Sequence, residues 1–296
     1  MGAIGYYLLR PVLYGIAYLP FPLLYLLSDA VQLLLFGVFG YRLKVVRENL
    51  RNSFPEKSEA ELKQVEHEFR RWFCDLMLET IKTLTITPRQ VNKRISVEGT
   101  GVLKQYFEAG QSVIIVMGHW GNWELGGARF SQLGLHHLNV IYHPLENKHF
   151  DRLFIRMRTR LGNGLYPMKD TVRCMLRDSR KLTATAFIAD QTPSPEHAYW
   201  TTFLNQDTPV FRGTEAIARK LGQPVIYLGI DRKKRGHYHM RFELLEAEPG
   251  STAEGEISER HTRRLEEDIR KHPAIWLWTH RRWKHGSRRQ AVGNGQ

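Results

Sequence analysis

The stretch Val113-Ile-Ile-Val-Met-Gly-His-Trp-Gly-Asn-Trp-Glu-Leu-Gly-Gly127 decides how the rest of the chain is read. An apolar, β-rich run enters Gly118, and His119 and Glu124 follow it, five residues apart. In open α/β sheets ligand chemistry gathers where a strand ends and the next helix begins. His119 occupies that place, with Gly118 and Gly121 beside it to let the backbone approach a ligand closely. A free imidazole titrates near about 6.5, so at neutral pH much of it can accept a proton. A carboxylate within reach of its second nitrogen fixes the tautomer and stabilises the imidazolium that forms. Those are the needs of a base that takes a proton from an alcohol. The same residues allow a blander reading, in which His119 packs against Trp120 and Trp123 and Glu124 is a solvated first-turn acid.

Outward from this block the pattern alternates. Runs at 112–117, 138–142, 183–189, 224–230 and 238–244 read as strands. Helical stretches fall near 123–133, 151–161, 171–180 and 213–221, and a last helix near 257–271 stops at Pro273. Strands alternating with helices predict an α/β domain whose central sheet is largely parallel and flanked by helices. Upstream, a capping box from Ser58 to Glu61 opens a long amphipathic helix. There Leu62, Val65, Phe69, Phe73, Leu76, Met77, Ile81 and Leu84 recur at helical spacing before Thr87-Pro88.

Lysine and arginine total 43 against 30 acidic residues, a formal net charge of +13. Such an excess attracts phosphate, on nucleic acid, an anionic membrane or a phosphorylated ligand. The N-terminus favours the membrane. From Pro11 to Tyr41 the only charged residue is Asp29, and the run exceeds the roughly 20 residues a bilayer-crossing helix needs. No small-residue cleavage site follows it. Pro20 and Pro22 break it, so a kinked span, an interfacial helix and a buried helix pair all stay open. Arg42, Lys44, Arg47 and Arg51 come next, as at the cytoplasmic end of an anchor. The expected organisation is an N-terminal apolar membrane anchor over 1–41, a catalytic domain facing the cytoplasm over 42–285, and a flexible basic tail over 286–296.

Other chemistries find little support. Cys74 and Cys174 are far apart and form no CxxC, against a disulfide scaffold or a cysteine zinc site. GxSxG, GxxxxGK[ST] and GxGxxG are absent, against a serine acyl-enzyme, an NTPase and a dinucleotide enzyme. His136, His137, His143 and His149 cluster without HExxH spacing, so neither a metal nor another cofactor is expected.

The string GHWGNWELGG resembles the HxxxxD/E block of the lysophospholipid acyltransferase superfamily. The whole chain resembles the bacterial lipid A biosynthesis acyltransferases, the lauroyl- and myristoyltransferases, and is similar to the mycobacterial mannosylated-phosphoinositide acyltransferases. Further matching pieces are Tyr41-Arg-Leu-Lys-Val-Val-Arg-Glu-Asn-Leu50 with Phe54-Pro55, Arg156-Met-Arg158-Thr-Arg160-Leu-Gly162, Ala189-Asp190-Gln191-Thr192, and the closing segment from Pro273 to Lys284. The resemblance implies a glycerolipid acyltransferase-like fold with His119 as general base and Glu124 as its orienting partner. It assigns Arg158, with Arg156 a close competitor, to a phosphate or a developing oxyanion, and it puts Asp190 and Gln191 at a strand end beside them. A solvated helix face and a strand-end turn are the plainer readings of these two groups. The implied partners are an acyl thioester donor (acyl carrier protein or coenzyme A), an anionic glycolipid acceptor and the inner membrane, with no nucleic acid. The alternatives are acylation of a glycerol phosphate or phosphoinositide mannoside, and a non-catalytic tethered protein that binds anionic lipid or nucleic acid. Trp276, Trp278 and Trp283 read as core or interface anchors.

Overall fold

A computed structural model describes residues 3–285. The tail expected over 286–296 lies outside the described residues. In chain order come helices α1 (Ala3–Tyr18) and α2 (Phe21–Gln32), a π-helical turn (Leu33–Val38), then α3 (Leu43–Ser53), α4 (Glu59–Lys82) and α5 (Pro88–Arg94). Strands and helices then alternate through β1 (Ile95–Glu98), α6 (Thr100–Glu108), β2 (Val113–Met117), α7 (Trp123–Phe130), β3 (His137–Tyr142), α8 (Lys148–Thr159), β4 (Gly164–Pro167), α9 (Thr171–Arg177) and β5 (Thr183–Ile188). An antiparallel hairpin follows, β6 (Tyr199–Phe203) and β7 (Gln206–Val210). After it come α10 (Gly213–Leu221), the long strands β8 (Val225–Lys234) and β9 (His237–Glu246), and α11 (Glu256–Lys271).

The main sheet has the order β1-β9-β8-β2-β5-β3-β4. Every neighbouring pair is parallel except β8 and β9, which a short turn joins as an antiparallel pair. The expected largely parallel, helix-flanked sheet is present. Strands β1 and β4 and the β6–β7 hairpin escaped the sequence reading, because runs of four or five residues such as Gly164–Pro167 carry no clear alternation.

β2 lies between β5 and β8 and is buried at all five positions. Helices cover both faces, so its side chains are apolar throughout instead of alternating. Ile114 and Val116 join one core with α4 and α11, whereas Val113, Ile115 and Met117 join another with α7. Fully burying each such side chain contributes about 1.5–3 kcal/mol. This fixes the strand that delivers His119.

The N-terminal helices are not separate from this body. Ala17, Phe21, Leu24 and Phe36 are buried in its cores. Ser28 donates to Asp75 of α4 at 2.7 Å, and Arg235 in the β8–β9 turn reaches Asp29 at 2.8 Å and Asp75 at 2.6 Å. The lone charge of the apolar run is therefore the helix's tether to the domain. The opposite side stays apolar and exposed, with Leu26, Leu33, Leu34 and Val38 each at least half accessible. The segment Phe21–Val38 has a mean hydropathy of 1.7 and only 22% of it is buried.

Candidate active site

β2 and β5 leave the sheet side by side, with Met117 in register with Ile188. Two residues further on, each chain presents a polar side chain, His119 and Asp190. Asp190 Oδ1 lies 2.6 Å from His119 Nδ1, and Asp190 Oδ2 accepts the His119 backbone N–H at 2.7 Å and the Trp276 indole N–H at 2.7 Å. Burial pushes the Asp190 carboxyl up, but the imidazole beside it and these hydrogen bonds outweigh burial and bring it down to about 2. An ionised carboxylate can only accept, so Nδ1 carries a proton and, in the neutral ring, Nε2 is the nitrogen left to accept one. Nε2 lies 3.4 Å from the side-chain nitrogen of Gln191. Trp123 meets the imidazole edge-on, with centroids 4.8 Å apart. Trp120 is buried and turned away, stacked on His272.

The carboxylate bonded to His119 is thus Asp190, whereas Glu124, the orienting partner that the resemblance implied, bonds Arg158 instead. The reason is geometric. Glu124 lies in the first turn of α7, which carries its side chain toward α8. There Arg158 grips it with Nε at 3.1 Å from both oxygens and Nη2 at 2.6 Å from Oε1. Burial lowers the Arg158 guanidinium, but Glu124 outweighs that and raises it above its ordinary value. The other basic residues of the block separate. Arg160 donates to the carbonyls of Thr83 and Ile86, while Arg156 is exposed and outside the cavity lining.

Two devices hold the turn between His119 and Glu124. Asn122 caps α7 by accepting the Leu125 N–H at 2.9 Å and donates to fully buried Glu79 at 2.6 Å. Glu79 also accepts from Tyr25 at 2.7 Å and Tyr238 at 2.6 Å. Gly121 has φ +73°, and a Cβ there would collide with the Ile230 carbonyl, so only glycine fits. From the other side the closing segment clasps the turn, with Gly121 N–H donating to Ile275 O at 2.9 Å. Trp276 is therefore a core residue that also bonds the site carboxylate. Its membership of the closing block was the only sequence signal for it, whereas Asn122 carried the ordinary mark of a helix cap.

His119, Glu124, Arg158 and Gln191 all line one cavity of about 650 Å³. Its inner walls are apolar, formed by Ile115, Met117, Phe130, Leu138, Val140 and Leu228, and Lys169 and Arg173 stand at its edge. Behind Asp190 lie His261 and Arg282, both buried. Burial lowers the His261 imidazole to about 4 and the Arg282 guanidinium to about 10. Cys74 and Cys174 are both free thiols in the core.

A parallel sheet that brings an imidazole and a carboxylate to the edge of a deep apolar cavity points to the class of α/β enzymes acting on chain-bearing substrates. The chain belongs to the bacterial lipid A biosynthesis acyltransferase family, which it matches over residues 2–285, and it is an acyltransferase. It is 25% identical over 268 residues to the lipid A biosynthesis palmitoleoyltransferase of Escherichia coli (strain K12), covering 90% of this chain and 86% of that protein. It is 25% identical over 277 residues to the lipid A biosynthesis lauroyltransferase of the same organism, covering 92% and 89%. A lipid A biosynthesis acyltransferase of Haemophilus influenzae is 27% identical over 247 residues, covering 82% and 78%.

Proposed function

We propose that this protein moves a fatty acyl group from an acyl thioester to a hydroxyl of a phosphorylated, lipid A-type glycolipid. The observation that carries the reading is the imidazole fixed by Asp190 beside an apolar cavity of about 650 Å³, a size suited to an extended hydrocarbon. His119 Nε2 takes the proton of the acceptor hydroxyl. The oxygen attacks the thioester carbonyl, a tetrahedral oxyanion forms, and its collapse breaks the C–S bond and expels the thiolate, which takes the proton back from His119 Nε2. Asp190 stabilises the imidazolium between these steps. Glu124 holds Arg158 through Nε and Nη2, and among the described residues Nη1 has no hydrogen-bond partner, which leaves it for the developing negative charge. On this account Glu124 sets the position of Arg158, and Asp190 does the orienting that the resemblance implied for Glu124. Gln191 bounds the site beside Nε2.

The protein works at the cytoplasmic face of the inner membrane. α2 and its π-helical extension lie in the interface, their polar side tied to the domain and their leucine-rich side in lipid. The testing experiment incubates purified protein with an acyl thioester and a lipid A precursor, and measures the product by mass spectrometry. One added acyl chain, absent with His119→Ala, is the expected result. No acyl addition to any phosphorylated glycolipid would refute the reading.

A further inference from the structure

Within the basic block, Glu124 holds Arg158 and backbone carbonyls hold Arg160, while Arg156 lies outside the cavity lining. Two other cations line the cavity. Lys169 stands in a 3-10 turn (Met168–Asp170) and Arg173 in the first turn of α9, and both side chains line the cavity. Both are exposed, and among the described residues neither makes an ion pair. Asp170, between them in sequence, pairs with neither. The contrast with the rest of this segment is sharp. Arg177 and Lys181 both pair with Asp178, at 2.8 and 3.0 Å. Among the described residues the two cations at the cavity edge have no acidic partner, whereas Arg177 and Lys181 share one in Asp178.

The edge is apolar as well as charged. Met168 and Val172 line the cavity beside Lys169 and Arg173, so the chain alternates apolar and cationic side chains along the opening. A ligand that seats a hydrocarbon inside and carries a phosphate at its head would meet both. The buried Thr171 hydroxyl donates to the carbonyls of Pro167 and Met168, holding the turn that presents the pair.

We infer that Lys169 and Arg173 form a phosphate-binding clamp at the cavity edge, which grips a phosphate group of the substrate while His119 acts further in. Arginine offers a planar fork to two phosphate oxygens and lysine adds a point charge. This assignment rests on the acyl-transfer reading above. The phosphate belongs either to the acceptor headgroup or to the carrier arm of the donor, and the experiment separates the two.

Binding is measured first, on the His119→Ala protein, so that turnover plays no part. The probes are a phosphorylated lipid A precursor in detergent micelles, the same lipid after phosphatase treatment, and an acyl coenzyme A. The clamp predicts that adding Lys169→Ala and Arg173→Ala weakens one phosphate-bearing probe by about 10- to 100-fold. The phosphatase-treated lipid should change less than about twofold. Loss for the phosphorylated lipid assigns the clamp to the acceptor, and loss for the coenzyme thioester assigns it to the donor. Lys169→Arg with Arg173→Lys should restore most of the affinity. Unchanged affinity for both phosphate-bearing probes overturns the clamp, as does equal loss for the phosphatase-treated lipid. Steady-state transfer by the His119-containing enzyme is then compared. Binding that depends on the clamp without any transfer would refute the acyl-transfer reading and leave the clamp standing.

Discussion

Asp190 holds His119 at two points, by the ring Nδ1–H at 2.6 Å and by the backbone N–H at 2.7 Å. The first contact sets the tautomer and the second sets where the ring begins. Trp276 anchors the carboxylate in turn, so the pair is fixed by three chain segments far apart in sequence. Asp190→Asn keeps the shape but can offer its amide N–H where a carboxylate is needed, which favours the wrong tautomer. Turnover should fall by about 10²–10⁴-fold, and the thermal midpoint should drop moderately because the ionised carboxylate that stabilises the fold is lost. Combining it with His119→Ala should cost no more than His119→Ala alone, because the two act as one unit. Steady-state rates of the three variants test this, and full activity of Asp190→Asn would remove the pair from the mechanism.

Glu124 and Arg158 form a mostly buried ion pair, with 11% and 25% of their side chains accessible. Removing one partner strands the other charge. Glu124→Gln and Arg158→Met should each destabilise the fold by about 2–3 kcal/mol, less than for a fully buried pair. The double variant should recover a good part of that loss, which a double-mutant cycle in denaturant would show. Additive losses would mean that the pair contributes no coupling. Activity should separate from stability, with the double variant still slow because Arg158 is gone.

Acid should unfold this protein in a predictable window. His261 is buried, and its imidazole lies at about 4 in the fold against an ordinary 6.5. The unfolded chain therefore takes up a proton that the folded chain refuses between those values. Stability is fully present above 6.5 and is lost as pH falls toward 4, by roughly 3 kcal/mol at about 1.4 kcal/mol for each pH interval of one. Asp190, held down to about 2 from 3.8, adds a further loss below 3.8. His261→Gln should make the slope above pH 4 clearly shallower without abolishing it, because burial also lowers the His280 imidazole to about 4. An unchanged slope in that variant, measured by thermal midpoint against pH, would contradict the assignment.

The exposed side of α2 and its extension should govern membrane attachment without governing the fold. Leu26→Gln, Leu33→Gln and Val38→Gln alter side chains that are 67%, 70% and 72% exposed. Each should change stability by less than about 0.5 kcal/mol. Together they should move the protein from the membrane fraction toward the soluble one. Deleting residues 1–40 is a different experiment, because Phe21, Leu24 and Phe36 are buried in the shared cores. That deletion should lower the thermal midpoint as well as release the protein.

Much of this was legible in the chain itself. The five apolar residues before Gly118 define a buried strand, because their pattern depends only on which side chains avoid water. Ser58 and Glu61 mark the start of α4 for an equally local reason, each satisfying a backbone N–H or side chain three residues away. His119 could be singled out because a strand end beside glycines is a place where backbone and ligand can meet. What the sequence could not reveal is which carboxylate faces the imidazole. Glu124 is five residues from His119 but α7 carries it to Arg158, while Asp190 is 71 residues away and adjacent in space. That choice belongs to the tertiary structure. Strand order puts β5 beside β2 after two intervening strands, and parallel register then carries both strand ends to the same edge. The same reason separates Arg158 from Arg160 and frees Lys169 and Arg173 at the cavity. Charge and spacing are properties of the chain, but whether a charge is paired depends on which distant element folds against it.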